Sequence, residues 1–212
     1  MGKSDIVHFM KRGKNIFRPL FFALSVICIV LTMIDCPRHA ELFSYFTIQS
    51  NVMCLIVLFW NLKKEPPALL RGMAIVCITL TFLVYHFMIR PADLTLNNLN
   101  NLKNIATSFA HYLIPVCFWT DYLFFTPKGG MKLYYPFIWL CYPLLYLAYI
   151  MLIYKPTGGT FIIEGQLHKV PYFFLDIELM GAGGVAVWCI AIGAGFLILS
   201  YLFLLLDKLL SR

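Results

Sequence analysis

Six apolar runs dominate this sequence, at residues 17–34, 43–60, 72–89, 105–125, 133–153 and 183–206, and each is long enough to cross the hydrocarbon of a bilayer as a helix. None shows the period-two alternation of a half-exposed strand. Hydrocarbon offers no partner to an unpaired backbone group, so helices are the expected form. The expected fold is therefore all-α: one membrane domain over residues 1–212, a bundle of six transmembrane helices. Composition agrees, because 61% hydrophobic and 13% charged residues is more apolar than a soluble domain's core can absorb.

Charge sets the expected orientation. The formal net charge is +7, but the lysines and arginines lie between the apolar runs and before the first of them, which reads as a topology signal and not as nucleic-acid binding. With six crossings both termini share one side, and that side holds twelve of the 17 Lys and Arg, so both termini are expected in the cytoplasm. The run 17–34 follows Lys11, Arg12 and Lys14 as a secretory signal would. It is longer than such a signal's apolar core and no small-x-small site follows, so it is taken as the first crossing. Seven scattered cysteines without a CxxC pair read as packing residues.

The cytoplasmic connections are short and carry Glu65-Pro66-Pro67 and Thr126-Pro127-Lys128-Gly129-Gly130, which makes the helices they join antiparallel neighbours. The outer connections, 91–104 and 154–182, are longer. In the second, Val170 to Asp176 is expected to lie in the membrane interface over the mouth of the bundle. Gly181, Gly183 and Gly184, with Gly193 and Gly195, are expected to mark close helix contact.

Polar side chains inside a span are expensive, so they are the functional hints. Thr47, Gln49, Ser50 and Asn51 cluster in the second run, with Thr47 and Asn51 one turn apart on a face. Thr107, Ser108 and His111 cluster in the fourth, followed by Pro115. Both runs cross in the same direction, and Thr47 and His111 lie roughly 6 and 9 Å inside them at ~1.5 Å per residue. They are expected at nearly the same depth. Pro115 offers no N–H to the His111 carbonyl, so a kink is expected beside the imidazole. Such residues also serve as helix-to-helix hydrogen-bonding groups, and a threonine hydroxyl without a base is inert. His86 is a second, more peripheral histidine that could line the substrate cavity. His39 and His168 lie in outer connections. No HxxxH or HExxH pair occurs, so no metal site is expected. Asp121 reads as an anchor for Lys128 or Lys132, Asp176 as an orienting third member beside a histidine, and Tyr146 and Tyr149 as substrate-lining candidates.

Taken together, Tyr45-Phe46-Thr47-Ile48-Gln49-Ser50-Asn51, His111-Tyr112-Leu113-Ile114-Pro115, Asp121-Tyr122-Leu123-Phe124-Phe125, Tyr142-Pro143-Leu144-Leu145-Tyr146 and Pro171-Tyr172-Phe173-Phe174-Leu175-Asp176 resemble, in order and spacing, the six-span androgen-induced and androgen-dependent membrane protein family, and its microbial branch in particular. That resemblance implies an intramembrane threonine hydrolase of fatty acid esters of hydroxy fatty acids, with Thr47 as nucleophile and His111 as base. The expected function is then hydrolysis of a lipid acyl ester in a cell membrane, without a cofactor, with Asn51, Gln49 or Ser50 holding the oxyanion. The alternative is a small lipid-binding or transport protein without covalent chemistry. Midplane charges and paired half-repeats, which carriers often show, are missing from the sequence.

Overall fold

A computed structural model describes residues 3–35, 39–89, 102–154, 161–163 and 166–211. Among the described residues the protein is helical apart from one short hairpin, and four helices there are long and apolar enough to cross a membrane: His8–Ile34, Ala68–Ile89, Tyr135–Leu152 and Ile177–Leu209. The chain divides into two compact units, Met1–Met131 with Asp207–Arg212, and Lys132–Leu206. Most of the outer connection 91–104 lies outside the described residues, as do Cys36, Arg38, Arg90 and Lys155.

In the first unit, α1 (Lys3–Asp35) is followed by the single turn α2 (His39–Leu42), α3 (Phe46–Asn61), α4 (Ala68–Val84), α5 (Leu102–Ser108) and α6 (Ile114–Phe125). Two wide π turns extend the helices, Tyr85–Ile89 after α4 and Phe109–Leu113 between α5 and α6. Helix α3 packs on α1 and α4, while α1 also meets α5 and α6. Leu58 of α3, Ile75 and Ile78 of α4 and Ile114 of α6 are wholly buried, and shared β-branched and leucine surface is what holds the helices together.

Helix α3 begins three residues later than the apolar run. Ser44 and Tyr45 donate back to Glu41 and Leu42 in a tight turn, so Tyr45 is the extended N-cap and Thr47 falls in the first helical turn. Its 16 residues extend about 24 Å. Pro66 and Pro67 separate α3 from α4, with Pro67 extended at the N-cap, because proline fixes φ and needs no acceptor there.

Charged residues tie the lower ends of these helices. Arg18 donates from Nε to Asp121 Oδ1 at 2.7 Å and from Nη2 to Oδ2 at 3.2 Å, and from Nη1 to Glu65 Oε1 at 2.7 Å. Arg71 reaches Glu65 Oε2 at 3.0 Å, and Lys14 pairs with the same carboxylate. The partner of Asp121 is thus Arg18, not Lys128 or Lys132. A guanidinium fork matches both carboxylate oxygens, whereas Lys128 finds the carbonyl groups of Tyr122 and Thr126 that the last turn of α6 leaves over. Asp207 closes this end by accepting from Gly129 N at 2.9 Å, Met131 N at 3.0 Å and the Tyr122 hydroxyl at 3.2 Å. Gly129 is required there, with φ at 83° and Ser211 Cβ 2.9 Å from where a side chain would begin.

The second unit holds α7 (Tyr135–Tyr149) with its π turn Ile150–Tyr154, an antiparallel hairpin of β1 (Phe161–Ile163) and β2 (Gln166–His168), a 3-10 turn Phe173–Leu175, and α8 (Ile177–Leu209). Three-residue strands are too short to leave a periodic signature, so the sequence of the 154–182 connection does not announce the hairpin. Val170 and Pro171 are buried, Tyr172 stacks on Phe174, and Phe173 and Phe174 pack on Trp188. Helix α8 starts six residues before the expected run and is broken at Gly181, whose φ of 68° and ψ of 161° only glycine adopts readily. Within this unit a Cβ built on Gly181, Gly183, Gly193 or Gly195 would meet no side chain or other backbone within 4 Å, and one on Gly184 would meet its own helix at Met180. The glycine at 181 serves this backbone conformation.

Burial alone would push the Glu65 carboxyl up, but the hydrogen bonds and charges of Arg18 and Lys14 hold it below the usual carboxylate range. A carboxyl depressed in the folded state adds stability above its unfolded value of about 4.3 and loses it as pH falls through the folded value. Melting of detergent-solubilised protein from about pH 6 to about pH 3 should therefore show destabilisation on acidification that Glu65→Gln reduces, with Glu65→Gln the less stable protein at neutral pH. An unchanged slope in that variant would contradict the assignment.

Candidate active site

The first turn of α3 and the π turn Phe109–Leu113 face each other, and they bring together a hydroxyl and an imidazole. Thr47 Oγ1 lies 3.2 Å from His111 Nε2. On the far side of the ring, His111 Nδ1 is 2.9 Å from the Thr107 carbonyl oxygen. A carbonyl can only accept, so Nδ1 carries the proton and Nε2 presents its lone pair to the threonine O–H. This is the tautomer a general base requires. The spacing of four residues between Thr107 and His111 produces the second contact by helix geometry alone, since side chains lean back over the preceding turn.

Pro115 explains the backbone here. Sequence leads to a kink at His111, and the structure has a π turn there: the Ile114 N–H bonds to the Phe109 carbonyl five residues back, and α6 resumes with Pro115 in its first positions, where a missing N–H is harmless. The π turn widens the chain here, and His111 within it meets α3 at Thr47.

The oxyanion candidates have other employment. Asn51 Nδ2 donates to the Thr47 carbonyl at 2.8 Å and to the Ala110 carbonyl at 3.2 Å, which uses both of its N–H groups. Reversing the amide would set its oxygen against two carbonyls. Asn51, 3% exposed, is a strut between the turn that carries Thr47 and the turn that carries His111. Ser50 Oγ, wholly buried, lies 2.9 Å from the Thr47 carbonyl and 2.8 Å from Thr81 Oγ1, and so ties α3 to α4. Gln49 Nε2 turns outward to the Phe43 carbonyl at 2.8 Å. Asn51 and Ser50 have no spare donor for a substrate and Gln49 is turned outward, whereas the Thr47 N–H, in the first turn of α3, has no acceptor among the described residues. A helix of 16 residues adds its positive end at the same place.

Other residues singled out by sequence fall elsewhere. His86 Nδ1 contacts the Tyr112 hydroxyl at 3.2 Å, and its ring stacks on Phe82, so it belongs to the aromatic surround of the pair and not to the pair itself. Asp176 does not serve His111, whose Nδ1 is taken by Thr107. It lies 2.7 Å from His168 Nδ1 and accepts from Glu178 N at 2.9 Å and Leu179 N at 3.4 Å as the N-cap of α8. Burial favours its neutral form, but these bonds hold its carboxyl below the usual range. Tyr146 is buried beside Tyr172 in the second unit, and Tyr149 is half-buried on the same helix. The residue that sequence reasoning missed is Tyr85, whose ring lies flat on His111 at 3.8 Å between centroids and 24° between planes. Adjacent to His86, it carries no signal of its own, because the π turn it opens is invisible in hydropathy.

Compared with known proteins, the chain matches no family model, no curated protein and no solved structure.

Removing the strut gives a test of this geometry. Asn51→Leu leaves two buried carbonyls with fewer partners and should destabilise the protein by about 1–3 kcal/mol in thermal or denaturant unfolding. Stability equal to the parent protein would mean that the amide does not hold the two turns together.

Proposed function

We propose that this chain is an intramembrane threonine hydrolase that cleaves lipid acyl esters, and that it crosses a cell membrane six times with both termini in the cytoplasm. The observation that carries the reading is the Thr47 hydroxyl held at His111 Nε2 while Nδ1 is committed to a carbonyl. A purely structural threonine in a helix usually returns its proton to a carbonyl of its own preceding turn, as Thr79 and Thr81 do here. Thr47, in the first turn, meets a base instead. The order of motifs shared with the androgen-induced family supports an ester of a hydroxy fatty acid as substrate, and the apolar helix surfaces suit its acyl chains. Two crossings added to the four long apolar helices are α3 and the column 102–125, whose polar inserts carry the site.

In the first half-reaction Thr47 Oγ1 bonds to the acyl carbonyl carbon as His111 Nε2 takes its proton, and the carbonyl oxygen becomes the oxyanion facing the Thr47 N–H. The C–O bond to the leaving alcohol then breaks, and His111 returns the proton to that oxygen. Water attacks the acyl-threonine in the second half, giving its proton to His111. The acid departs and Thr47 regains its hydrogen. General acid–base work of this kind is worth ~10²–10⁴ in rate.

Thr47→Ala and His111→Ala, purified into nanodiscs, should each lose about 10³-fold or more in turnover of a hydroxy fatty acid ester and keep their helical spectrum. Turnover retained by either folded variant would remove the proposal, and accumulation of intact lipid in vesicles without product would favour transport.

A further inference from the structure

His111 must become a cation when it takes the Thr47 proton, yet no acidic side chain among the described residues contacts it. A charge formed in a site of low polarity needs electrostatic partners fixed in advance. Two are in place. The Thr107 carbonyl accepts the Nδ1 proton, and the ring of Tyr85 covers one face of the imidazole at 3.8 Å. An aromatic face is the negative part of the ring quadrupole, so it attracts imidazolium far more than neutral imidazole. Tyr85 is 4% exposed, and Tyr112 braces it edge-on at 5.7 Å and 76°. Burial and this brace hold the ring against the imidazole.

We propose that Tyr85 is a positioning residue for the proton transfer: its ring face fixes the plane of His111 toward Thr47 and stabilises the imidazolium, the part an aspartate plays in a serine triad. The inference rests on the hydrolase reading of the same site. Substrate binding creates no charge on His111, so Tyr85 acts on kcat and leaves KM alone.

The test compares Tyr85→Phe, Tyr85→Leu and pentafluorophenylalanine at position 85, in nanodiscs, by kcat and KM on a medium-chain p-nitrophenyl ester together with melting temperature. Fluorination keeps the shape of the ring and reverses its quadrupole, so this comparison decides the matter even if Tyr85→Leu fails to fold. Tyr85→Phe should keep kcat within about threefold, and the leucine and fluorinated proteins should lose about 10- to 100-fold in kcat at unchanged KM. A fluorinated protein as fast as Tyr85→Phe overturns the proposal, and so does a Tyr85→Phe protein as slow as Tyr85→Leu. Should Thr47→Ala turn over the same ester, the hydrolase reading falls and takes Tyr85 with it. With Thr47→Ala inert and the fluorinated ring unimpaired, only the role of Tyr85 falls.

Discussion

A polar group buried among apolar side chains has to find its partner inside the protein, and the first unit is arranged by that requirement. Thr47 meets His111, His111 meets Thr107, Asn51 spans from the Thr47 carbonyl to Ala110, and Ser50 spans to Thr81. Each of these bonds joins a residue of α3 to another turn or helix, or holds the ring that does so. Apolar packing alone permits helices to slide past one another at little expense, since one leucine surface resembles the next. Hydrogen bonds at fixed levels do not, and they set the depth at which the hydroxyl and the imidazole face each other.

The opposite end of the same helices is held by charge. Arg18, buried in α1, bridges Asp121 of α6 and Glu65 of the α3–α4 connection, and Arg71 of α4 adds a second cation to Glu65. With the polar network at one level and the ion pairs at another, the helix pairs are pinned at two heights. The second unit has a separate polar knot, where the Asp176 carboxylate both pairs with His168 and caps α8. That pairing accounts for the aspartate without assigning it to the chemistry of His111.

Much of this was legible in the residues. Length and apolarity place most of the helices near their observed bounds, although α1 begins at Lys3, well before the run at 17–34, and the similar depth expected of Thr47 and His111 pairs them from sequence. Sequence could not yield the features that depend on backbone detail. The turn at Glu41–Tyr45 that moves Thr47 to the helix start, the π turn that aims His111, and the stacking of Tyr85 upon it all arise from local departures from 3.6 residues per turn, to which hydropathy is blind. Partner choice was likewise hidden. Asp121 has Lys128 near in sequence but takes Arg18, 103 residues away, because the fork of an arginine fits a carboxylate better than a point charge does. Asn51 looked like an oxyanion donor from its place one turn beyond Thr47, and only coordinates reveal that both its N–H groups are already used.

The most direct measurement is to map by mass spectrometry where a lipophilic fluorophosphonate attaches to the folded protein. The proposed activation of the hydroxyl at residue 47 by the imidazole at 111 predicts an adduct on the peptide containing Thr47 that disappears in His111→Ala. An adduct on another side chain, or one on Thr47 that forms equally fast without the imidazole, would contradict it.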